Sequence, residues 1–199
     1  MGNFQTVQNG PNCRPYIASK TDQRWIWKAH ECTPGEIFLT AAELAFAAPH
    51  RPQVVIEPTI KAGASPNKDW GADRWQQFVR LAKKAGIRLT QLRPPGTRSL
   101  LGASVITTPD FRRACAVLAN ARAYVGHEGG LMHAAAAVGV PAVVIFGGYI
   151  SPAQTGYAMH RNLFTGGVPC GMRVACSHCA AAMAKITPEM VLSELRAIL

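Results

Sequence analysis

A chain of 199 residues, 48% hydrophobic and 16% charged, has the size and composition of one packed domain, with or without an arm, and is not a disordered polymer. It holds no apolar run of the ~18–20 residues that span a bilayer, and the N-terminus MGNFQTVQNGPNCRPY lacks the basic start and apolar core of a signal peptide, so a cytoplasmic protein is expected. The net charge of +10 fits an anionic partner (a nucleotide diphosphate, phosphorylated lipopolysaccharide or nucleic acid) as well as a plain solubilising surface.

Residues 1–35 read as an irregular arm, with turn signals at Gly10-Pro11, Pro15 and Pro34-Gly35 and an aromatic island at Trp25-Ile26-Trp27. Met1, Gly2 and Thr6 fit a myristoylation pattern superficially. From Glu36 to Ala48 the pattern is helix-capable, with Ile37, Leu44 and Ala48 on one stripe. Pro49 and Pro52 close it, and Gln53–Glu57 is a short buried strand stopped by Pro58. A polar loop leads to a helix over Trp70–Ala85, in which Trp70, Trp75, Phe78, Val79 and Ala82 share a face and Gly86 is the C-terminal cap. Strands follow at Ile87–Leu92 and Ser104–Thr107. A helix then runs to Asn120, with Pro109 in its first turn and Thr108 as its cap.

Residues 122–148 carry the densest signal. The apolar run Ala123-Tyr124-Val125 meets Gly126, His127, Glu128, Gly129 and Gly130; then come His133, the alanines 134–137, Gly139, and a second apolar run, Val140–Phe146. This reads as strand, glycine turn, short helix, strand. A glycine turn entering a helix presents unpaired N–H groups and a positive dipole end, which suits a phosphate. The strand–helix alternation predicts an α/β fold with a doubly wound parallel sheet, whose ligands sit beyond the carboxyl ends of the strands. Residues 147–185 read as a long irregular segment, functional or stapled, before a last helix over Glu189–Ile198 capped by Thr187.

The order Val125, Gly126, Glu128, Gly129, Gly130, His133, Ala134–136, Gly139, Pro141, Phe146, Gly147 resembles the donor-binding motif of glycosyltransferase family 9, the heptosyltransferase-like group. Family members usually carry Asp where this chain has Glu128, and Ser or Thr where it has Gly129. A Lys-x-Trp that ends the loop after the first strand of the family's second domain is matched by Lys68 and Trp70. The resemblance runs from Gln53 to Leu199 and implies a single Rossmann-like domain over 51–199, like the C-terminal, donor-binding half of a GT-B enzyme. Residues 1–50 are too few for the N-terminal half, which normally supplies the acceptor site and the catalytic Asp.

The resemblance implies a donor site of Thr59, Lys68, Glu128, Gly129, Gly130, His133 and Gly147. It implies inverting transfer from a nucleotide-diphosphate sugar, with no metal in catalysis. No catalytic base carries over; Asp22, Glu31 and Glu36 are candidates only as acids of the shortened N-terminal region, and Glu128 is a further one. The acceptor would be a lipopolysaccharide-type sugar or a modified nucleic-acid base. A base in duplex would have to be flipped out, with Trp25 and Trp27 as stacking contacts. Two other readings stand beside the enzyme: a non-catalytic nucleotide-sugar-binding module, and a subunit that completes its cleft with another chain or a second copy of itself. The loop after Phe146, with Tyr149, Ser151–Tyr157 and His160, either borders the nucleotide or merely connects.

Cys170, Cys176 and Cys179, with His178 among them, form one CxxC plus a third thiol. A structural zinc needs four ligands and only one CxxC is present, so the set would be completed from Cys170 or from distant Cys13 or Cys32. A disulfide and free buried thiols remain open alternatives.

Overall fold

The computed structural model describes residues 16–18, 24–27, 31–61, 63–165 and 167–199. Met1, Gly2, Thr6, Cys13 and Asp22, named above, lie outside them. The arm carries more order than its sequence suggests, since strands β1 (Tyr16–Ala18) and β2 (Trp25–Trp27) pair antiparallel. Helix α1 (Ala41–Ala47) is shorter than expected. Thr40 caps it in a reciprocal box with Glu43, so the helix starts there and not at Glu36. The stripe also differs. Leu44 is exposed, while Ala47 and Phe46 face the core.

The main sheet has six parallel strands in the order β5-β4-β3-β6-β7-β8. They are β3 (Val54–Glu57), β4 (Leu89–Arg93), β5 (Ser104–Thr107), β6 (Ala123–His127), β7 (Ala142–Gly147) and β8 (Arg161–Phe164). Helices α2 (Ala72–Lys84), α3 (Phe111–Leu118), α4 (Gly130–Ala137), α5 (Pro152–Thr155), α6 (Ser177–Ala184) and α7 (Pro188–Arg196) complete the fold. The segment expected to be irregular thus contributes α5, α6 and the sixth strand. Its four-residue strand, Arg-Asn-Leu-Phe, gains its identity only from pairing with β7.

Both faces of the sheet are covered, which is why its central strands are apolar at nearly every position. Strand alternation divides the core in two. Val55, Tyr124 and Val144 pack under α3 and α4. Val54, Ile56, Val125, Val143 and Ile145 pack under Trp75, Phe78 and Val79 of α2 and under Val191 and Leu195 of α7.

Two helix starts differ from the sequence reading. Gly71, at φ 97°, breaks the chain before α2, so Trp70 precedes the helix, still fully buried. Asp110, not Thr108, caps α3, and the Thr108 N–H donates to the Arg93 carbonyl at 3.1 Å. Among the described residues no helix is long and apolar enough to cross a membrane.

Candidate active site

The chain runs outward through β3, β4 and β5, then returns across β3 to β6 and continues to β7 and β8 on the other side. The direction of winding reverses between β3 and β6, and the crevice at such a reversal is where open α/β sheets bind ligands. Two loops meet there. The loop after β3 ends in a 3₁₀ turn, Pro66–Lys68, capped by Ser65. The loop after β6 is only Glu128 and Gly129 before α4 begins.

Lys68 and Glu128, one from each loop, form an ion pair. Glu128 is 6% exposed and Lys68 21%. The Lys68 ammonium also lies 5.3 Å from the centre of the Tyr149 ring, a cation–π distance. Beside the pair, α4 starts without a side-chain cap, because Gly129 has none to offer. Its first-turn N–H groups therefore point into the crevice with the positive end of the helix dipole. Gly129 is extended (φ 169°), a conformation open to any residue. Within 4 Å, a Cβ on it would meet only the His127 carbonyl, at 4.0 Å, so the glycine leaves space.

His133, one turn into α4, bonds the Tyr157 hydroxyl through Nδ1 at 2.8 Å. Burial holds its pKa below the ordinary histidine value, the Glu128 carboxylate opposes that shift and Lys68 adds to it. His160 packs edge-on against Tyr157 and bonds the Met132 carbonyl at 3.3 Å, so the loop after β7 braces α4 from behind. Gly147 ends β7. It has φ +63°, and a Cβ on it would lie 2.6 Å from Met183 Cε, so its missing side chain makes room for core packing.

His127 is structural. Its Nε2 accepts from the Trp70 N–H at 3.0 Å and the Trp75 indole at 3.3 Å, locking the Lys68 loop to α2. Burial lowers its pKa to about 4.

Sequence reasoning missed Glu57. It ends β3 opposite Gly126, and the Tyr124 side chain reaches over that glycine to donate to Glu57 at 3.1 Å. Burial raises the Glu57 pKa to about 7, opposed by the Tyr124 bond. The only sequence signal was an acid closing an apolar strand. Glu57 opens onto a cavity of about 720 Å³ beyond the ends of β3, β4 and β5. Leu92, Pro94, Pro109, Phe111 and Leu131 form its apolar walls, and Thr59, Thr97, Thr108 and Gly130 also line it. Gln91, fully buried, bonds the Arg98 carbonyl and the Leu100 N–H and so fixes the loop over the cavity. Thr59 also lines a second hollow of about 500 Å³ toward α2.

Glu57 and His127 predict opposite pH dependences. Glu57 binds its proton more tightly folded than unfolded, so its contribution is full below about 4.5 and is lost as pH rises through about 7. That loss amounts to roughly 3 kcal/mol. His127 contributes fully above about 6.5 and loses its contribution as pH falls through about 4. Glu57→Gln is expected to unfold at a higher temperature than the wild type at pH 8 and at a similar one at pH 5. An unchanged difference between the two pH values would show that Glu57 does not titrate in this window.

Of the arm's acids, Glu31 and Glu36 are exposed. Cys32, next to Glu31, donates to the Gln154 carbonyl at 3.3 Å, and burial and the Glu128 charge push its thiol pKa up. Cys32 therefore does not join the other cysteines. The fourth member of that cluster is His178. The ligand atoms of Cys170, Cys176, His178 and Cys179 all lie within 4.8 Å of one another. Cys170 Sγ is 3.6 Å from Cys176 Sγ and 2.9 Å from Cys179 Sγ. Sulfurs at two corners of a tetrahedral zinc site stand about 3.7 Å apart; the Cys170–Cys176 distance matches this and the Cys170–Cys179 distance is shorter, and three thiols and an imidazole fit a thiophilic ion by donor type. All three cysteines are free, with no disulfide between them.

Over this fold the chain is similar to Escherichia coli ADP-heptose lipopolysaccharide heptosyltransferase II, at 19% identity and a TM-score of 0.60, covering 82% of this chain and 53% of that one. It is similar to E. coli heptosyltransferase WaaC with ADP, at 16% and 0.53, covering 82% and 49%. A third likeness is to the iron-containing dodecameric glycosyltransferase TibC of enterotoxigenic E. coli H10407, at 18% and 0.58, covering 74% and 45%. The chain spans about half the length of these structures. No curated protein matches it. The sequence profile of glycosyltransferase family 9 (heptosyltransferase) matches residues 36–178, a stretch that holds Glu57, Lys68, Glu128 and His133, and the chain belongs to that family.

Proposed function

We propose that the chain is the nucleotide-sugar-binding part of an inverting glycosyltransferase. One observation carries this reading: Lys68 and the uncapped start of α4 converge at the reversal point of the sheet, beside a cavity large enough for a nucleoside. The nucleoside occupies the cavity, between its apolar walls and Glu57, Thr59 and Thr97. The diphosphate lies across the N–H groups of Gly130 and Leu131. Lys68 turns from Glu128 to the phosphate, and Glu128, freed of its partner, accepts hydrogen bonds from sugar or ribose hydroxyls. With Tyr157 donating to His133 Nδ1, the imidazole offers its Nε2–H to the donor. The heptosyltransferases of similar fold are described with ADP or ADP-heptose, which makes an ADP-sugar the first donor to test.

When the acceptor hydroxyl attacks the anomeric carbon, negative charge grows on the leaving diphosphate. Lys68, once turned to the phosphate, and the α4 dipole stabilise it there. The base that takes the hydroxyl proton is an acid of the arm or of a partner. Cys32 brings the arm to Gln154 at the rim of the crevice, and Glu31 is its neighbour. The net charge of +10 suits an anionic acceptor. The Cys170–Cys179 cluster holds a structural zinc or iron(II) ion through Cys170, Cys176, His178 and Cys179, away from the reacting bond.

Incubating the full chain with ADP-, UDP- and GDP-sugars, each with lipid-linked sugar and DNA acceptors, tests the reading. Release of nucleoside diphosphate that depends on the acceptor is expected. Tight donor binding without release for every pair would instead favour a binding module.

A further inference from the structure

The cysteine cluster adjoins the donor site through one side chain that the proposed chemistry does not use. Asn67 directly precedes Lys68 and is 6% exposed. Its amide nitrogen donates to the carbonyls of Met172 at 2.8 Å and Val174 at 2.7 Å. Its oxygen accepts from the N–H of Cys176 at 3.0 Å. Ser65 Oγ adds a bond to the Met172 carbonyl at 2.9 Å. All of these partners lie in the loop between Cys170 and Cys179, whose regular structure before α6 is a single antiparallel bridge from Met172 to Arg24. The start of that loop is pinned to the exit of β7 by two backbone bonds, Cys170 N–H to Gly148 and Gly171 N–H to Tyr149, each 3.1 Å. Tyr149 is the ring beneath the Lys68 ammonium. The loop therefore grips both the residue before Lys68 and the aromatic platform under it.

We propose that a metal ion held by Cys170, Cys176, His178 and Cys179 sets the position of Lys68, with Asn67 as the positioning residue between them. This rests on the donor-site reading for its consequence, but not for its structural part. A loop whose ends are drawn together by four ligands has few conformations left. The carbonyls of Met172 and Val174 then stand fixed where Asn67 needs them, and the 3₁₀ turn that presents Lys68 is held from outside its own short backbone. Without the ion, the thiols are only neighbours, the loop relaxes, and Asn67 loses an ordered partner for each of its three bonds. Lys68 then keeps its charge but not its place, so the effect falls on donor affinity. The neighbouring backbone matches this arrangement. A Cβ on Gly148 would lie 2.7 Å from Ala182 Cβ and 3.1 Å from the His178 ring, so the ligand-bearing start of α6 sits directly on the strand exit.

Three measurements on the full chain test this: metal content by elemental analysis, peptide-resolved hydrogen exchange over residues 63–70, and calorimetric titration with ADP. One equivalent of zinc or iron is expected. Chelation is expected to speed exchange over 63–70 and weaken ADP binding by at least about tenfold, with both reversed by adding the metal back. Asn67→Ala keeps all four ligands. It is expected to retain the ion yet reproduce the faster exchange and the weaker ADP binding. Cys179→Ser is a second route to metal loss, and chelation serves where that variant does not fold. Absence of bound metal, or unchanged exchange over 63–70 after chelation and in Asn67→Ala, would overturn the proposal. If ADP, UDP and GDP all fail to bind the metal-loaded chain, the donor-site reading fails, while the exchange result still decides whether the metal orders the Lys68 turn.

Discussion

Lys68→Ala is expected to lower kcat/KM for the donor by roughly two to three orders of magnitude, the usual cost of removing one preorganised donor from a site of developing charge. The loss has an electrostatic origin that a stability measurement can separate. Lys68 neutralises Glu128, which is 6% exposed. Removing the lysine leaves a nearly buried carboxylate without its counter-charge. Breaking a fully buried pair costs about 3–5 kcal/mol. With Lys68 itself 21% exposed, water enters the gap and the cost lies below that range. The double variant Lys68→Ala/Glu128→Gln removes the stranded charge, so it is expected to regain the thermal stability and none of the activity. A Lys68→Ala protein with full donor affinity would remove the residue from the site. A Lys68→Arg protein is expected to fall between, since the wider guanidinium changes the geometry over the Tyr149 ring while keeping the charge.

Gly126→Ala is expected to destabilise the fold more than any other single methyl added to the strand-turn-helix segment. The new Cβ would stand 1.9 Å from Tyr124 Oη and 2.3 Å from its Cζ. Tyr124 is wholly buried and its ring is wedged in the core under α3 and α4, so it has nowhere to move. Overpacking of this kind costs about 1–3 kcal/mol. Displacing the hydroxyl also takes the hydrogen-bond donor from half-buried Glu57, for about 1 kcal/mol more. Against a total stability of about 5–15 kcal/mol, the unfolding temperature is expected to fall by about 10 °C. Gly129→Ala, three residues later, is the control. Its backbone is extended and its Cβ would meet only the His127 carbonyl, at 4.0 Å. Its stability is expected to stay within about 0.5 kcal/mol of wild type, with any loss confined to donor binding. Equal melting temperatures for Gly126→Ala and wild type would show that the Tyr124 ring does not occupy that space.

These two glycines show what the sequence could and could not convey. Both stand in one motif, and a glycine turn reads the same whether the missing side chain makes room for a ligand or for a tyrosine. The strand-helix alternation was legible because burial on both faces makes central parallel strands plainly apolar. Lys68 and Glu128 were each legible as polar residues at strand ends. Their pairing was not, because 60 residues separate them and only the sheet order brings the two loops together. Strand β8 was hidden for a related reason. Its Arg161 and Asn162 are what an edge position tolerates, and nothing local marks them as a strand. Glu57 was passed over because an acid after three apolar residues looks like the end of a strand facing water. Its neighbour Gly126 and the reach of Tyr124 make it a half-buried, protonatable group instead. His178 was noted among the cysteines but not counted as a ligand, although ring and thiols converge once α6 begins at Ser177. Asn67 gave no signal at all, since its three partners lie more than a hundred residues away.

A crystal structure of the full chain with ADP would locate a nucleoside diphosphate relative to the reversal point of the sheet. The phosphates are expected within hydrogen-bonding distance of Lys68 Nζ and of the Gly130 and Leu131 N–H groups, with the nucleoside in the cavity bounded by Glu57, Thr59 and Thr97. A nucleotide bound elsewhere on the chain, with Lys68 still paired to Glu128 and the cavity empty, would contradict this placement.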